Sequence, residues 1–435
     1  MRLLPSLSTF FLVGALSAQS PALIGYWHNW DIAGAPYISL DQIDPRYDVI
    51  EVSFAEPVFG STSQMVFTPS ATDPTTFAAQ VAALRSSGHK VLISIGGANA
   101  TVQLNSDAER DELTASMLGI LADFGFDGID IDLEGASISI TGGTITTPID
   151  APMLRLIQAI EDIGDAFELN TGTPMMLTMA PETASVQGGQ SAFGSIWGAY
   201  LPLIHALRDR LDILQVQLYN SGSMYGIDGA IYDQGTADFI VSQTEAVIQG
   251  FTTSGGPFNG LAPEQIAVGL PACADAAGGG YSDTATVAAA LRYLHGTGPQ
   301  PGSYTLAQTA GYPALRGMMT WSINWDAAGS CDGTYSFAEN YERIFQGNTT
   351  AVAALSKGPA LLLSPNPATD IITVRGLDQG THAVNILDLS GRVLRTMALR
   401  WTTPSISVSD LPAGSYFLRF DADQKQRPIA FVKIP

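Results

Sequence analysis

The chain has 435 residues, 46% of them hydrophobic, and a formal net charge of −21. That length buries a large core and leaves room for more than one domain. The acidity excludes nucleic acid as a partner, because phosphates call for Lys and Arg, and it bears on solubility more than on any neutral ligand.

Residues 1–20 read as a secretory signal peptide: Arg2, an apolar stretch to Leu16, and small residues at Ala15, Ser17 and Ala18. The stretch is too short for a membrane span, and no later run is apolar enough to make one. Export is the expectation. From residue 21 onward, apolar runs alternate with amphipathic segments. Strands are expected at Leu23–His28, Asp48–Phe54, Lys90–Ile95, Gly125–Glu134, Pro174–Met179, Ile213–Tyr219, Ile266–Leu270 and Arg316–Ile323. Helices are expected at Thr75–Ser86, Asp107–Phe124, Met153–Glu168, Trp197–Arg208 and Thr236–Thr252. Eight strands with helices between them predict an α/β fold, a (β/α)8 TIM barrel over residues 21–348. Residues 349–360 read as a linker. Residues 361–435 carry short strand-like runs separated by turn signals, which predicts a small β-sandwich.

The fourth run holds the chemistry. Ile129, Ile131 and Leu133 alternate with Asp130, Asp132 and Glu134. Strand side chains alternate between faces, so the three acids share one face, with Glu134 nearest the C-terminal mouth. Asp127 is out of phase and reads as a strand-entry residue. Carboxyls crowded on the inner face of a central strand cannot all ionise cheaply. Desolvation and mutual repulsion raise at least one pKa, as a general acid near neutral pH requires. A calcium loop would place its acids on a turn instead.

Two loops shape the mouth. Ala136–Pro148, rich in Ile, Ser, Thr and Gly, reads as a rim β-hairpin. Pro271–Tyr312 reads as glycine-rich loop around one helix, Thr284–Leu294. Cys273 and Cys331 follow the seventh and eighth strands, where a disulfide across neighbouring loops is reasonable in an oxidising compartment.

Asp127, Asp130, Asp132 and Glu134 fit the pattern Asp-x-x-Asp-x-Asp-x-Glu, and on these residues the chain resembles glycoside hydrolase family 18, the chitinases and their relatives. Further segments are similar: Ser94-Ile95-Gly96-Gly97, Met179-Ala180-Pro181, Phe54-Ala55-Glu56, Gln217-Leu218-Tyr219-Asn220, and Trp321 ending the last strand. Where many members carry Met-x-Tyr-Asp, this chain has Gln-x-Tyr-Asn, which leaves the role of Asn220 open.

The resemblance implies that Glu134 protonates the glycosidic oxygen, Asp132 accepts the substrate's acetamido N–H, and Tyr219 holds the acetamido carbonyl. That carbonyl oxygen is then the nucleophile. Asp130 would buffer Asp132 through a shared proton, with Ser94 bonded to Asp130. Trp321 would floor the cleaved sugar and Met179 would point into the sugar pocket, with core packing as the alternative for both and the one a methionine taken alone favours; Gln217 and Glu56 would lie at the site. Tyr26, Trp27, Trp197 and Trp325 are further candidate sugar platforms, with core packing as the alternative. No metal or organic cofactor is implied. The substrate would be chitin or N-acetylglucosamine oligosaccharides, cut internally if the groove is open. Alternatives are an endo-β-N-acetylglucosaminidase acting on N-glycans and a non-catalytic chitin-binding lectin, although lectin relatives usually lose the final glutamate.

The tail segments Ser364-Pro365-Asn366-Pro367, Leu411-Pro412-Ala413-Gly414 and Phe431-Val432-Lys433 resemble the C-terminal sorting domain of type IX secretion. That implies contact with the secretion machinery and a location outside the cell or on the outer-membrane surface. The alternative is a carbohydrate-binding or fibronectin-like module. Trp401 is the tail's only tryptophan, a poor basis for an aromatic sugar platform.

Overall fold

A computed structural model describes residues 21–328, 333–346, 362–375, 381–388, 392–400, 402–420 and 429–434. They fall into two compact units divided after residue 348. The signal-peptide and linker readings lie outside the described residues.

In the first unit eight parallel strands make a ring among the described residues. They are β1 (Ala22–His28), β2 (Val49–Pro57), β3 (Lys90–Gly96), β4 (Gly128–Asp132), β5 (Met176–Met179), β6 (Ile213–Leu214), β7 (Ala267–Pro271) and β8 (Gly317–Trp321). Neighbours run β7-β8-β1-β2-β3-β4-β5-β6. Parallel bridges Leu214–Ile266 and Gln217–Gly269 join the ends. Around them lie α1 (Pro74–Ser86), α2 (Asp107–Phe124), α3 (Ala151–Thr171), α4 (Leu201–Leu207), α5 (Ala237–Gln249), α6 (Thr284–Leu294), α7 (Ile323–Ala328) and α8 (Ser336–Phe345). This is a TIM barrel, whose working side chains gather at the C-terminal ends of the strands.

The strands alternate as their sequences require. Ile129 and Ile131 face outward into the helix layer with Leu113, Met117 and Ile160. Ile24, Val49, Leu92, Ile213 and Met319 plug the barrel interior. The segment that delivers β4 is tightly specified. Ser106 and Glu109 form a capping box on α2, and Gly125 ends that helix in the left-handed conformation at φ 68°. Asp127 then accepts from Val91 N–H at 3.0 Å and pairs with Arg85 at 3.1 Å and Lys90 at 3.3 Å. This clamp sets the register of β4 against β3.

Several boundaries differ from the sequence reading. Gly125 belongs to the helix cap, and Glu134 stands on extended backbone just past the last paired residue of β4. The sixth strand pairs regularly only at Ile213–Leu214, then through single bridges at Gln217. The helix expected at Trp197–Arg208 shortens to α4, because Gly198 takes a φ of 71° that breaks it. Ala136–Pro148 is no hairpin ladder. It makes one bridge, Gly143–Pro148, and pairs Ile140 with Ser195, since Ile138, Ile140 and Ile145 are buried in the core. Cys273 is disulfide-bonded, whereas its expected partner Cys331 lies outside the described residues.

The second unit has two antiparallel sheets. One holds Leu362–Ser364, Ile371–Arg375 and Ser405–Ser407; the other holds Val393–Arg400, Thr381–Leu387, Gly414–Phe420 and Ile429–Lys433. Ile372, Val374, Val384, Ile386, Leu418 and Phe431 are buried in its core, a small β-sandwich. Among the described residues no helix is long and apolar enough to cross a membrane.

Candidate active site

Inside the barrel, β4 directs Asp130 and Asp132 inward, and both are buried. Asp130 is held from three sides. Tyr26 and Ser94 hydroxyls each donate to its Oδ2 at 2.6 Å, and Thr178 Oγ1 lies 2.7 Å from its Oδ1. Asp132 and the half-buried Glu134 hydrogen-bond one another. Gln217 Nε2 donates to both, at 2.9 Å to Asp132 and 3.1 Å to Glu134, and to the Ala180 carbonyl at 2.9 Å. Close backbone approach supports this row. A Cβ on Gly96, which sits at φ 109°, would lie 2.3 Å from the Asp132 carbonyl oxygen, so glycine lets β3 pass the acids.

The charges are crowded, and burial acts on all of them. Desolvation raises the Asp132 carboxyl well above the ordinary range, with Glu134 and Asp130 adding to it. Desolvation also raises Glu134, and the nearby Glu182 adds to that, while the Gln217 hydrogen bond opposes it. Burial raises Asp130 too, against the hydroxyl donors that favour its anion. Burial and the neighbouring Glu182 thus favour the protonated form of Glu134, the state a proton donor needs.

Above the acids is a cavity of about 720 Å³ lined in part by Asp132, Glu134, Gln217, Tyr219, Asn220 and Trp321. Trp321 forms the floor and stacks with Phe54 at 5.9 Å between centroids. His28 lies 4.7 Å from Trp321 and stacks on Trp30 at 4.8 Å, and burial lowers its pKa to about 4, so it is a neutral spacer. Tyr219 lines the cavity, and among the described residues its hydroxyl has no protein partner. Its backbone is fixed by the glycine-rich loop, for a Cβ on Gly280 would lie 2.6 Å from the Tyr219 Cα. Glu56 and Asn220 also border the cavity, and both are exposed.

Six sequence-derived candidates other than Asp130 do not line the cavity. Trp27 faces outward, bonded to the Ile38 carbonyl at 2.8 Å and packed on Phe77, because its neighbour Tyr26 takes the inward position. Met179 likewise packs in the outer core, since Thr178 takes the inward position on β5. Tyr26 and Ser94 point inward beneath the cavity and both bond Asp130, which is the place expected of Ser94, whereas Tyr26 was expected as a sugar platform. Asp130 accepts from these donors, and its charge helps raise the Asp132 carboxyl. Of the other tryptophans, Trp197 packs against Gly188 and Trp325 is buried on α7; neither lines the cavity.

The sequence reading also missed residues. Trp30 and the wholly exposed Phe59 line the cavity from loops, where no periodicity marks them. Glu51, Thr178 and Gln215 join the buried network beneath Asp130, and Glu182 faces Glu134. The first three carried a signal: each is a polar residue interrupting an apolar strand. Among the described residues no cluster of His, Cys, Asp or Glu could hold a metal ion.

Comparison with known proteins agrees with this geometry. Residues 22–339 match the model for glycosyl hydrolases family 18, and residues 363–432 match the secretion system C-terminal sorting domain. The chain is 48% identical to chitinase Chi52 of Paenibacillus xylanexedens over 310 residues, 70% of this chain and 58% of that protein. It is 48% identical to chitinase D of Niallia circulans over 311 residues, again 70% and 58%. The chain thus spans less than two thirds of the length of these curated relatives. Its structure is similar to a family GH18 chitinase from Chromobacterium violaceum, with a TM-score of 0.67, 36% identity, and coverage of 77% of this chain and 87% of that one.

Proposed function

The chain belongs to glycosyl hydrolase family 18, and on that premise we propose that it is an exported chitinase cutting internal β-1,4 bonds between N-acetylglucosamine units. The observation that carries this reading is the pair Asp132–Glu134, tied by Gln217 beside the Trp321 floor and the open hydroxyl of Tyr219.

In the first step Glu134 gives its proton to the glycosidic oxygen as the bond from that oxygen to the anomeric carbon breaks. The acetamido carbonyl oxygen of the same sugar bonds to that carbon, giving an oxazolinium ion. Asp132 accepts the acetamido N–H, and its negative charge faces the positive charge that forms. Tyr219 donates to the carbonyl oxygen and fixes its direction of attack. In the second step water bonds to the anomeric carbon, its proton goes to Glu134, and the ring opens back to the acetamide. The two displacements return the β configuration. The indole of Trp321 packs on the apolar face of the pyranose, a role its planar surface suits.

The β7–β8 connection carries α6 and loops, with no added domain to wall the groove, which supports internal cuts. The tail's match to a sorting domain supports export through type IX secretion to the cell surface or beyond. Incubation with colloidal chitin and a high-mannose glycopeptide in parallel tests the substrate, and NMR of fresh reducing ends tests the chemistry. Release of β anomers from chitin alone is the expected result. Cleavage of the glycopeptide alone, or α anomers appearing first, would overturn the reading.

A further inference from the structure

The mechanism leaves one buried carboxyl unused. Glu51, on β2, points into the barrel beneath Asp130 and is 0% exposed. Its Oε1 accepts from Gln215 Nε2 at 2.5 Å and lies 3.0 Å from Thr178 Oγ1. The same Thr178 oxygen lies 2.7 Å from Asp130 Oδ1. Glu51 Oε2 is buried without a hydrogen-bond partner.

A threonine hydroxyl has one hydrogen to give. Thr178 stands between two carboxyl oxygens and can donate fully to only one of them at a time, so the second contact is completed when the other carboxyl carries a proton and donates to Thr178. The shorter contact is to Asp130, which also accepts from Tyr26 and Ser94. That leaves Glu51 as the acid, its O–H directed to Thr178. The titratable groups that face Glu51 electrostatically are Tyr26, Asp130, Asp132 and Tyr219, all neutral or acidic. A neutral carboxylic acid is the form such a dry, anionic setting favours.

We infer that Glu51 is an internal proton source for Asp130, delivered through the Thr178 hydroxyl. The shift balances within the protein. Glu51 O–H breaks as a new Thr178 O–H forms, and the old Thr178 O–H breaks as Asp130 O–H forms. One negative charge moves from Asp130 down to Glu51, whose Oε1 then accepts from both Gln215 and Thr178. The move removes the anion adjacent to Asp132 just when Asp132 must carry full negative charge opposite the oxazolinium ion. No solvent proton is needed, and Asp130 is buried from solvent. Glu51 touches no substrate and is a positioning residue acting through Asp130.

This inference rests on the proposed chitinase reaction, and its test separates the two. The enzyme, Glu51→Gln, Thr178→Val, Thr178→Ser and the Glu51→Gln/Thr178→Val double variant are assayed on an N-acetylglucosamine tetramer, with thermal melts as the folding check. Gln keeps the Gln215 contact but has no acidic proton. Glu51→Gln and Thr178→Val are each expected to lower kcat roughly ten- to a hundredfold, below the range of a group acting directly on substrate. KM should stay within about twofold, as for an effect confined to the transition state. The double variant should be no slower than the worse single one, and Thr178→Ser should recover the native rate. A native kcat in Glu51→Gln, losses that multiply in the double variant, or an effect on KM alone would overturn the inference. Should Glu51→Gln fail to fold, the threonine pair decides, because a serine variant as slow as valine rules the relay out. Failure of the native enzyme to cleave the tetramer would instead sink the chitinase reading.

Discussion

Two groups of buried acid in this barrel meet opposite surroundings. Glu245 on α5 is wholly buried, yet it is surrounded by donors. The Tyr304 and Tyr312 hydroxyls reach it at 2.6 and 2.5 Å, and the Ala307 N–H at 2.9 Å. Those donors all come from the β7–β8 connection, so Glu245 is a clasp that closes a long loop on its helix. Asp132 and Glu134 are also withdrawn from water, but their neighbours are other acids, with Gln217 as the shared donor. A buried carboxyl whose oxygens are met by enough donors is satisfied and serves the fold. One short of donors and beside its own kind holds a proton, and that proton can be used.

The widest separation between the two groups is expected from removing each acid in turn. Glu134→Gln should lower kcat by about a thousandfold or more, within the span of a lost general acid, while the melting temperature holds. Hydrolysis of a chitin oligomer beside a thermal melt checks both halves. Near-native turnover would remove Glu134 from the role of acid. Glu245→Ala should do the reverse. It strands buried donors and is expected to destabilise the fold by about 3 kcal/mol, read by denaturant unfolding, with kcat at low temperature close to native. A large loss of kcat with unchanged stability would place Glu245 in the reaction and erase the contrast.

A finer prediction concerns the charge that helps keep Glu134 protonated. Glu182 lies near enough to raise the Glu134 carboxyl. Its anion disfavours a second anion, so Glu182→Gln should lower the Glu134 pKa. The active form is the protonated one, which is lost as pH rises through that pKa. The basic limb of the pH–kcat/KM profile should therefore move to lower pH. A shift to higher pH would contradict the sign, and no shift would mean the two groups do not communicate. The same linkage bears on stability. Because burial raises Asp132 and Glu134, their protonated forms favour the folded state, and that contribution is lost as pH rises through their raised folded values.

Much of this contrast was legible before any fold was known, and the residues show why. The acid row was readable because Asp130 and Asp132 alternate with Ile129 and Ile131, a period that only a strand satisfies. Helices α2 and α6 occupy the expected residues, and the structure caps them with Ser106 and Gly125 and with Asp283, while Gly125 was read as the start of the strand. Trp27 and Met179 were misplaced where likeness to other proteins was given more weight than phase. Tyr26 and Trp27 are adjacent, so a strand cannot aim both inward. Phe59 and Trp30 sit on loops, where nothing in the local pattern says which way a ring turns. Glu51 was available to the same reasoning as Asp130, since an acid inside an apolar strand has to be explained, but a single acid makes no pattern. The clasp at Glu245 depends on tyrosines 59 and 67 residues away, and spacing does not reveal such pairings.

The smallest effects bear most directly on the comparison, because one contact occurs in both places. Tyr304 donates to Glu245 at 2.6 Å, and Tyr26 donates to Asp130 at 2.6 Å. Tyrosine to phenylalanine removes the same oxygen from each, with little change in packed volume. At Tyr304 the carboxylate keeps Tyr312 and the Ala307 N–H, so the loss should be about 1 kcal/mol of folding stability with kcat unchanged. At Tyr26 the acid it bonds, Asp130, takes part in the proposed reaction. Loss of a donor to the Asp130 anion raises its pKa and changes how much negative charge faces Asp132, so the loss should register in kcat. Melts and kcat measured on both variants at one temperature separate the outcomes. If Tyr304→Phe slows the reaction and Tyr26→Phe only softens the fold, then the number of donors around a buried acid does not distinguish a clasp from a proton carrier in this barrel.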